Sequence, residues 1–332
     1  MPNSSLRVDL DRLVNQRQIC VIGAAVVDVI AAADSLPRSG GDIELRQQGV
    51  NVGGCALNIA ITLSRLGLDS LNALPLGTGV WADIITRALR EKNITSGIHV
   101  DSGDNGWCLA LVEPNGERTF LSVSGVENQW SAAMLAQLAV LPGALVYLSG
   151  YQLTSAAGDI LLAWLATLPA SVTPFIDLGP RITHLAPAQW EKLLALRPIV
   201  SLNRQEAEHV YAYLSPTSAP APFGAADIDA LADLWRQRYR CPLIIRMDSE
   251  GAYYCDVATA GWIAAVEATV VDTIGAGDSH AGGVLAGLAS GWSLRDAVAL
   301  GNSAASFVVS RRGGDCAPRR EELRQYLRDR GI

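Results

Sequence analysis

Hydrophobic and polar positions along the chain follow two alternating periods. Short, nearly continuous apolar runs rich in β-branched residues recur at 20–27, 71–76, 144–149, 173–177, 199–202 and 242–247. Between them lie longer stretches whose apolar residues return every three or four positions, at 55–66, 80–92, 131–140, 154–168, 187–196, 204–214 and 226–239. The first kind fits strands buried on both faces and the second fits amphipathic helices. Strand followed by helix, repeated along the chain, predicts an α/β fold: a doubly wound, mostly parallel sheet with helices on both faces. The Pro, Ser and Ala-rich stretch 215–224 reads as a surface connection, because the alternation resumes after it. With no internal repeat, residues 1–332 read as a single domain.

Two stretches depart from the alternation. Residues 106–112 and 117–123 are β-rich runs joined by a Pro114-Asn115-Gly116 turn, which predicts a hairpin. With the polar, alternating segment 42–50 it predicts a small sheet off the main body. The second stretch is Asp272-Thr-Ile-Gly-Ala-Gly-Asp278, preceded by an apolar run at 262–271 and followed by a helical pattern from Asp278 over 279–289, with another at 295–309. Strand, glycine turn and helix start together make a place where backbone N–H groups and a helix dipole suit an anion such as phosphate. Asp278 at that mouth has two readings: an N-cap, or a carboxylate that takes a proton from an attacking hydroxyl.

Composition narrows the class. The 332 residues, 49% of them hydrophobic, are ample for a large core, and the net charge of −7 gives no general attraction to nucleic acid or an anionic membrane. Six cysteines, at 20, 55, 108, 241, 255 and 316, form no C-x-x-C pair and read as core residues of a reduced compartment. Residues 1–17 lack the apolar region of a signal peptide, and the longest apolar stretch, 20–33, holds Asp28 and is too short to cross a bilayer. A cytoplasmic enzyme acting on a small molecule is the expectation. Gly77-Thr-Gly79 lacks the third glycine of a dinucleotide fingerprint, so no NAD site is expected.

Polar residues at strand ends and helix starts supply candidate chemistry. Asp28 follows a buried run, where a charge is costly without a partner and where ligands of open α/β sheets bind. Asn58 lies four residues beyond Gly54 in the first turns of a helix, and is either surface filler or a ligand contact. Asn203 and Glu206 share one face at a helix start, as a capping box or as outer contacts to Mg²⁺, which keeps several waters.

Asp272-Thr-Ile-Gly-Ala-Gly-Asp278 resembles the carboxy-terminal signature of the ribokinase-like, or PfkB, carbohydrate kinases, and Gly53-Gly54 with Asn58 resembles their first signature. The resemblance covers about residues 18–330, with the motifs in family order. It implies a three-layer ribokinase-like fold with a small β-sheet lid formed by 42–50 and 105–126, which also supplies a homodimer contact. It implies that Asp278 is the catalytic base, with Gly275, Ala276 and Gly277 forming the anion hole. The sugar would meet Asp28, at the end of the first strand, together with Gly54 and Asn58. Trp107 under the lid is either a stacking surface or simple packing, and Arg181 either faces substrate or lies on the surface. The nucleotide would meet Arg246, Asp248, Gly251 and Asn302, and Asn203 with Glu206 would hold Mg²⁺ through water. Asp272 and Ile274, facing the loop Arg311-Arg-Gly-Gly314, would bind a monovalent cation such as K⁺, unless that basic stretch is only a helix end. Several positions depart from the family pattern: His280 for an aromatic residue, Val26 and Gly179 for asparagines, Arg246 and Asp248 for Thr and Gly. The expected activity is ATP-dependent phosphorylation of a sugar hydroxymethyl group, with a nucleoside kinase or a non-catalytic sensor as alternatives.

Overall fold

The computed structural model describes residues 8–114, 117–215 and 223–332. In chain order the strands are β1 (Ile19–Ile22), β2 (Val26–Ala32), β3 (Arg46–Gly53), β4 (Leu71–Ala73), β5 (Trp107–Val112), β6 (Arg118–Val123), β7 (Leu145–Ser149), β8 (Thr173–Asp177), β9 (Ile199–Asn203), β10 (Leu243–Arg246), β11 (Ala252–Cys255) and β12 (Ala260–Ile263). The α-helices are α1 (Cys55–Arg65), α2 (Val80–Glu91), α3 (Ala132–Leu135), α4 (Gly150–Leu153), α5 (Gly158–Thr167), α6 (Pro187–Ala195), α7 (Arg204–Leu214), α8 (Ala225–Arg238), α9 (Ala276–Ala289), α10 (Leu294–Val309) and α11 (Arg320–Arg328).

Eight strands form one sheet in the order β12-β11-β10-β9-β8-β7-β1-β4, parallel from β4 to β10 and antiparallel over β10-β11-β12. Alternate residues of its central strands go to opposite layers. Ile19, Val21, Tyr147 and Phe175 pack with α1, α2, α9 and α10, whereas Cys20, Ile22, Leu148 and Ile176 pack with α5, α6 and α8. Burial on both faces is why these strands read as continuous apolar runs. The three layers are those the alternation predicts.

A second sheet, β3-β2-β5-β6, stands apart, with β2 parallel to β5 and the other pairs antiparallel. It contains the expected hairpin, although Asn115 and Gly116 of the turn lie outside the described residues. The expected surface connection at 215–224 falls mostly outside them too.

Several element boundaries need correction. The run at 20–27 is not one strand: it breaks at Gly23, and Val26 begins β2 of the second sheet. Asp28 is therefore a residue of the small sheet, not the end of the first main-sheet strand. At 71–76 the strand stops at Ala73, and Pro75, which has no N–H to donate, follows where the chain leaves the sheet. Helix 131–140 is a single turn at α3, and the helix expected at 154–168 starts only at Gly158, as α5, after the separate single turn α4. The apolar run at 262–271 pairs only as far as Ile263, while Val270 and Val271 are 63% and 53% exposed. The antiparallel edge β11-β12 had a signal in the adjacent Tyr253 and Tyr254, both good strand formers.

Helices α9 and α10 cross closely enough that glycine is required on both. A Cβ on Gly283 would sit 2.9 Å from the Gly301 Cα, and one on Gly301 would sit 2.8 Å from the His280 carbonyl. Overpacking there has no empty space to relax into. Gly283→Val is expected to lower stability by about 2–4 kcal/mol, read as a lowered denaturation midpoint at unchanged m-value.

Candidate active site

Helix α9 starts not at Asp278 but two residues earlier, capped by Gly275 at φ 76°. That left-handed conformation favours glycine, and it turns the chain sharply from the irregular segment 264–274 into the helix. Asp278 thus occupies the first turn with its side chain free of any capping role, which removes the N-cap reading. The Ala276 N–H donates to the Thr273 carbonyl at 3.2 Å. Gly277 and Asp278 present first-turn amides that have no carbonyl one turn earlier in the helix to bond.

The Asp278 carboxylate lies against helix α1. Its Oδ2 accepts a hydrogen bond of 2.7 Å from Asn58 Nδ2, joining motifs 220 residues apart in sequence. Two features bring the helices together. Gly54 caps α1 at φ 110°, where a Cβ would meet the Ala24 carbonyl at 2.6 Å, and Gly282 of α9 lies against Thr62, with no room for a Cβ. Burial raises the Asp278 pKa above the usual carboxylate range, the Asn58 bond lowers it in part, and the charge of Asp177 raises it again. The Cys55 thiol, itself pushed well up by burial and by Asp278, adds a hydrogen bond to the carboxylate.

Asp28 sits beside Gly53, whose missing Cβ would lie 3.1 Å from its Oδ2. Burial raises its pKa as well. The register pairs Asp28 with Asn51 and Cys108, and Val27 with Trp107. Neighbours across a sheet point the same way and successive residues point oppositely, so Trp107 lies on the face away from Asp28. There it stacks on Trp81 of α2, with centroids 5.3 Å apart and 20° between planes. Of the two readings of Trp107, a stacking surface under the lid or simple packing, the structure shows packing against Trp81. Arg181 is exposed and lies over the Tyr151 ring at 5.5 Å.

The carboxyl ends of β8, β9 and β10 hold a buried charge cluster that sequence reading found only in parts. Arg246 grips Asp177 with both terminal nitrogens, at 2.6 and 3.1 Å, and donates to Ser201 Oγ at 3.0 Å. Glu206 Oε2 lies 3.9 Å from the same guanidinium. Burial alone would lower the Arg246 pKa, but Asp177, Glu206 and Asp278 together raise it, so the guanidinium stays charged. The signal for the pair was present, since a charge ending a buried strand needs a partner, but nothing in the sequence said which. Asn203 and Glu206 do form a capping box: Asn203 Oδ1 accepts from the Glu206 N–H, and Glu206 Oε2 from the Asn203 N–H, each at 2.9 Å. Burial raises the Glu206 pKa to about 7 against the pull of Arg246.

A cavity of about 600 Å³ opens above this cluster, lined by Asn203, Arg246, Asp248, Gly251, Gly277, His280 and Asn302 among others. Its apolar side comes from Ala265, Val266 and Val270, residues of the run expected to be strand. Asn302 Nδ2 donates to the carbonyls of Ile263 and Ala264, at 2.9 and 3.1 Å, and so anchors that wall. Asp248, at φ 52°, pairs with Arg204 at 3.2 Å. His280 is 2% exposed, and burial together with Arg246 pushes its pKa down to about 3, so the ring is neutral. Asp272 accepts from the N–H groups of Ile274 and Gly313, both at 3.1 Å, tying its loop to the 311–314 loop. No group of three or more His, Cys, Asp or Glu side chains among the described residues is arranged to hold a metal ion directly. No described helix is long and apolar enough to cross a membrane.

Comparison with known proteins shows the family. Residues 16–320 match the pfkB family carbohydrate kinase. The chain is 55% identical over 323 residues to the uncharacterized sugar kinase YegV of Escherichia coli (strain K12), covering 97% of this chain and 98% of that one. It is 28% identical to pseudouridine kinase of the same organism, over 82% and 83% of the two chains. Its fold is similar to that of ribokinase from Thermotoga maritima, with a TM-score of 0.76 at 18% identity, covering 94% and 99%. Carried by a family match over most of its length and by a relative of this identity, the chain belongs to the pfkB family of carbohydrate kinases, phosphotransferases that act on an alcohol group.

Proposed function

We propose that this kinase transfers the terminal phosphoryl of ATP to a hydroxymethyl group of a sugar. The observation that supports it most is the Asp278 carboxylate, held by Asn58 on the acceptor side and lying in the same first turn as the amides of Gly277 and Asp278 on the donor side. The acceptor is bound by Asp28, the Gly54 backbone and Asn58, and the nucleotide occupies the cavity of about 600 Å³. Asp278 takes the hydroxyl proton as the oxygen forms its bond to phosphorus, and the bond from phosphorus to the ADP oxygen breaks. First-turn amides and the dipole of α9 receive the charge on the moving phosphoryl. Burial, by raising the Asp278 pKa, makes it a stronger base than a solvated carboxylate.

The oxygens of Asn203 and Glu206 suit the outer water shell of Mg²⁺, which when bound there neutralises triphosphate charge. The loops around Asp272 and Ile274 are where a monovalent cation such as K⁺ would act. A nucleoside acceptor, suggested by the likeness to pseudouridine kinase, is disfavoured by the turn of Trp107 away from Asp28. The small sheet serves as a lid and as the contact of a homodimer, supported by exposed Phe120, Leu121 and Val123 at its edge.

Asp278→Asn is expected to lower turnover about a thousandfold while MgADP binding by calorimetry is kept; near-normal turnover removes Asp278 as base. A screen of free sugars beside nucleosides, read by ADP release, should place the best acceptor among the sugars. For Glu206 the sign is fixed by its raised pKa: its proton stabilises the fold below the ordinary value of 4.5, and that stabilisation is lost as pH rises through about 7. The swing is on the order of 1–3 kcal/mol, so Glu206→Gln should flatten the thermal-melt profile across the neutral range. Phe120→Glu should convert a dimer to a monomer in light scattering; a wild-type monomer would sink the lid contact.

A further inference from the structure

Phosphoryl transfer needs positive charge at the moving group. The chain's two lysines, Lys92 and Lys192, are paired with Asp315 and Asp159. Arg181 is exposed over Tyr151. Arg246 alone among these is buried at the cavity, and a Cβ built on Gly277 would lie 3.8 to 4.0 Å from its guanidinium carbon and terminal nitrogens. The cation therefore sits one contact layer from the backbone of the anion hole.

Its hydrogen bonding leaves capacity for an anion. A guanidinium has five N–H donors, and the bonds to Asp177 and Ser201 use three of them. The bidentate grip of Asp177 fixes the plane of the fork in advance, so little rotamer freedom remains to be lost when a phosphate arrives. The neighbouring Glu206 and Asp278 make the pocket floor acidic, and Arg246 is the cation set directly among them.

We propose that Arg246 is a further catalytic residue, which keeps its ion pair with Asp177 and contacts the terminal phosphoryl seated over Gly275 to Gly277. It neither gains nor loses a proton: the bonds formed and broken are those already described, and the hydroxyl proton still goes to Asp278. The inference rests on the kinase reading above. The competing role is a purely structural counter-ion for Asp177, which predicts no difference between ground-state and transition-state ligands.

The test uses the full chain with MgADP, with and without aluminium fluoride, which mimics the transferring phosphoryl. In wild type, aluminium fluoride should tighten MgADP binding about a hundredfold or more. The double variant Asp177→Asn with Arg246→Gln removes the cation without leaving a buried carboxylate unpaired. It should bind MgADP within about threefold of wild type, yet lose most of the tightening, with kcat down about a hundredfold and the KM for ATP little changed. Arg246→Lys should recover part of both. Tightening equal to wild type in the double variant overturns the proposal. Should these variants not fold, a crystal structure of wild type with MgADP and aluminium fluoride decides the matter: a guanidinium out of hydrogen-bond reach of the fluorides overturns it, and one within reach supports it. If wild type shows neither tightening nor ADP formation with any acceptor, the kinase reading itself fails and this inference falls with it, a result distinct from tightening that survives loss of the arginine.

Discussion

The hydrogen bond between Asn58 and Asp278 is the constraint on which the site depends. It is 2.7 Å long and ties the first turns of α1 to the first turn of α9, so the two glycine-led helix starts share one carboxylate. The bond exists only because the helices approach closely. Small residues make that approach: Gly54 at the α1 cap, Gly282 against Thr62, and the reciprocal Gly283 and Gly301 that hold α9 to α10. Packing at this density fixes a side chain to within the tolerance that in-line transfer demands. The structural glycines and the placement of the Asp278 carboxylate are therefore one design.

Sheet topology explains why the remaining charges converge there. Strands β8, β9 and β10 run parallel, so Asp177, Asn203 and Arg246 all arrive at the same carboxyl edge, and α9 delivers its N-terminus beside them. An open α/β sheet gathers polar residues at this edge because the strands themselves must be apolar on both faces. The antiparallel β11-β12 pair closes the side of the sheet, and the chain leaving Ile263 supplies the apolar wall of the cavity.

How much of this was legible in the sequence follows from the range of each interaction. The parallel layers were legible, because burial on both faces imposes a continuous apolar run wherever it occurs. The glycine turn into a helix at Gly275 to Asp278 was legible, since its geometry is local to four residues. What failed to show were boundaries where an apolar residue serves something other than a sheet: Val270 and Val271 are exposed, and Ala265 lines a cavity, yet both look like strand. The run at 20–27 likewise hid a change of sheet, as Gly23 to Ala25 is apolar enough to pass for strand interior. The face of Trp107 was left open for a different reason. Strand parity assigns its face only once the register with Val27 is known, and register is a tertiary property. Pairings such as Arg246 with Asp177, 69 residues apart, leave a sign in sequence only as charges that demand some partner.

The charge state of the floor is set by burial as much as by the count of acidic residues. Asp177, Glu206 and Asp278 around a single arginine give a formal excess of negative charge, which by itself would repel a triphosphate. Yet Glu206 is raised to about 7, so near neutrality it is protonated about half the time, and Asp278 is raised as well. Arg246 is driven the other way, into permanent charge, by the same carboxylates. Burial thus weakens Glu206 and Asp278 as anions that would oppose a nucleotide, while the carboxylates, against the pull of burial, keep the cation that favours it charged. His280 fits the same logic: pushed down to about 3, it fills the space beside Arg246 as a neutral ring and adds no charge that would compete for Asp278. An ionised Asp278 and an anion within reach of it are more compatible here because burial raises Glu206 to about 7, which lessens its charge near neutrality, while Arg246 stays charged beside it.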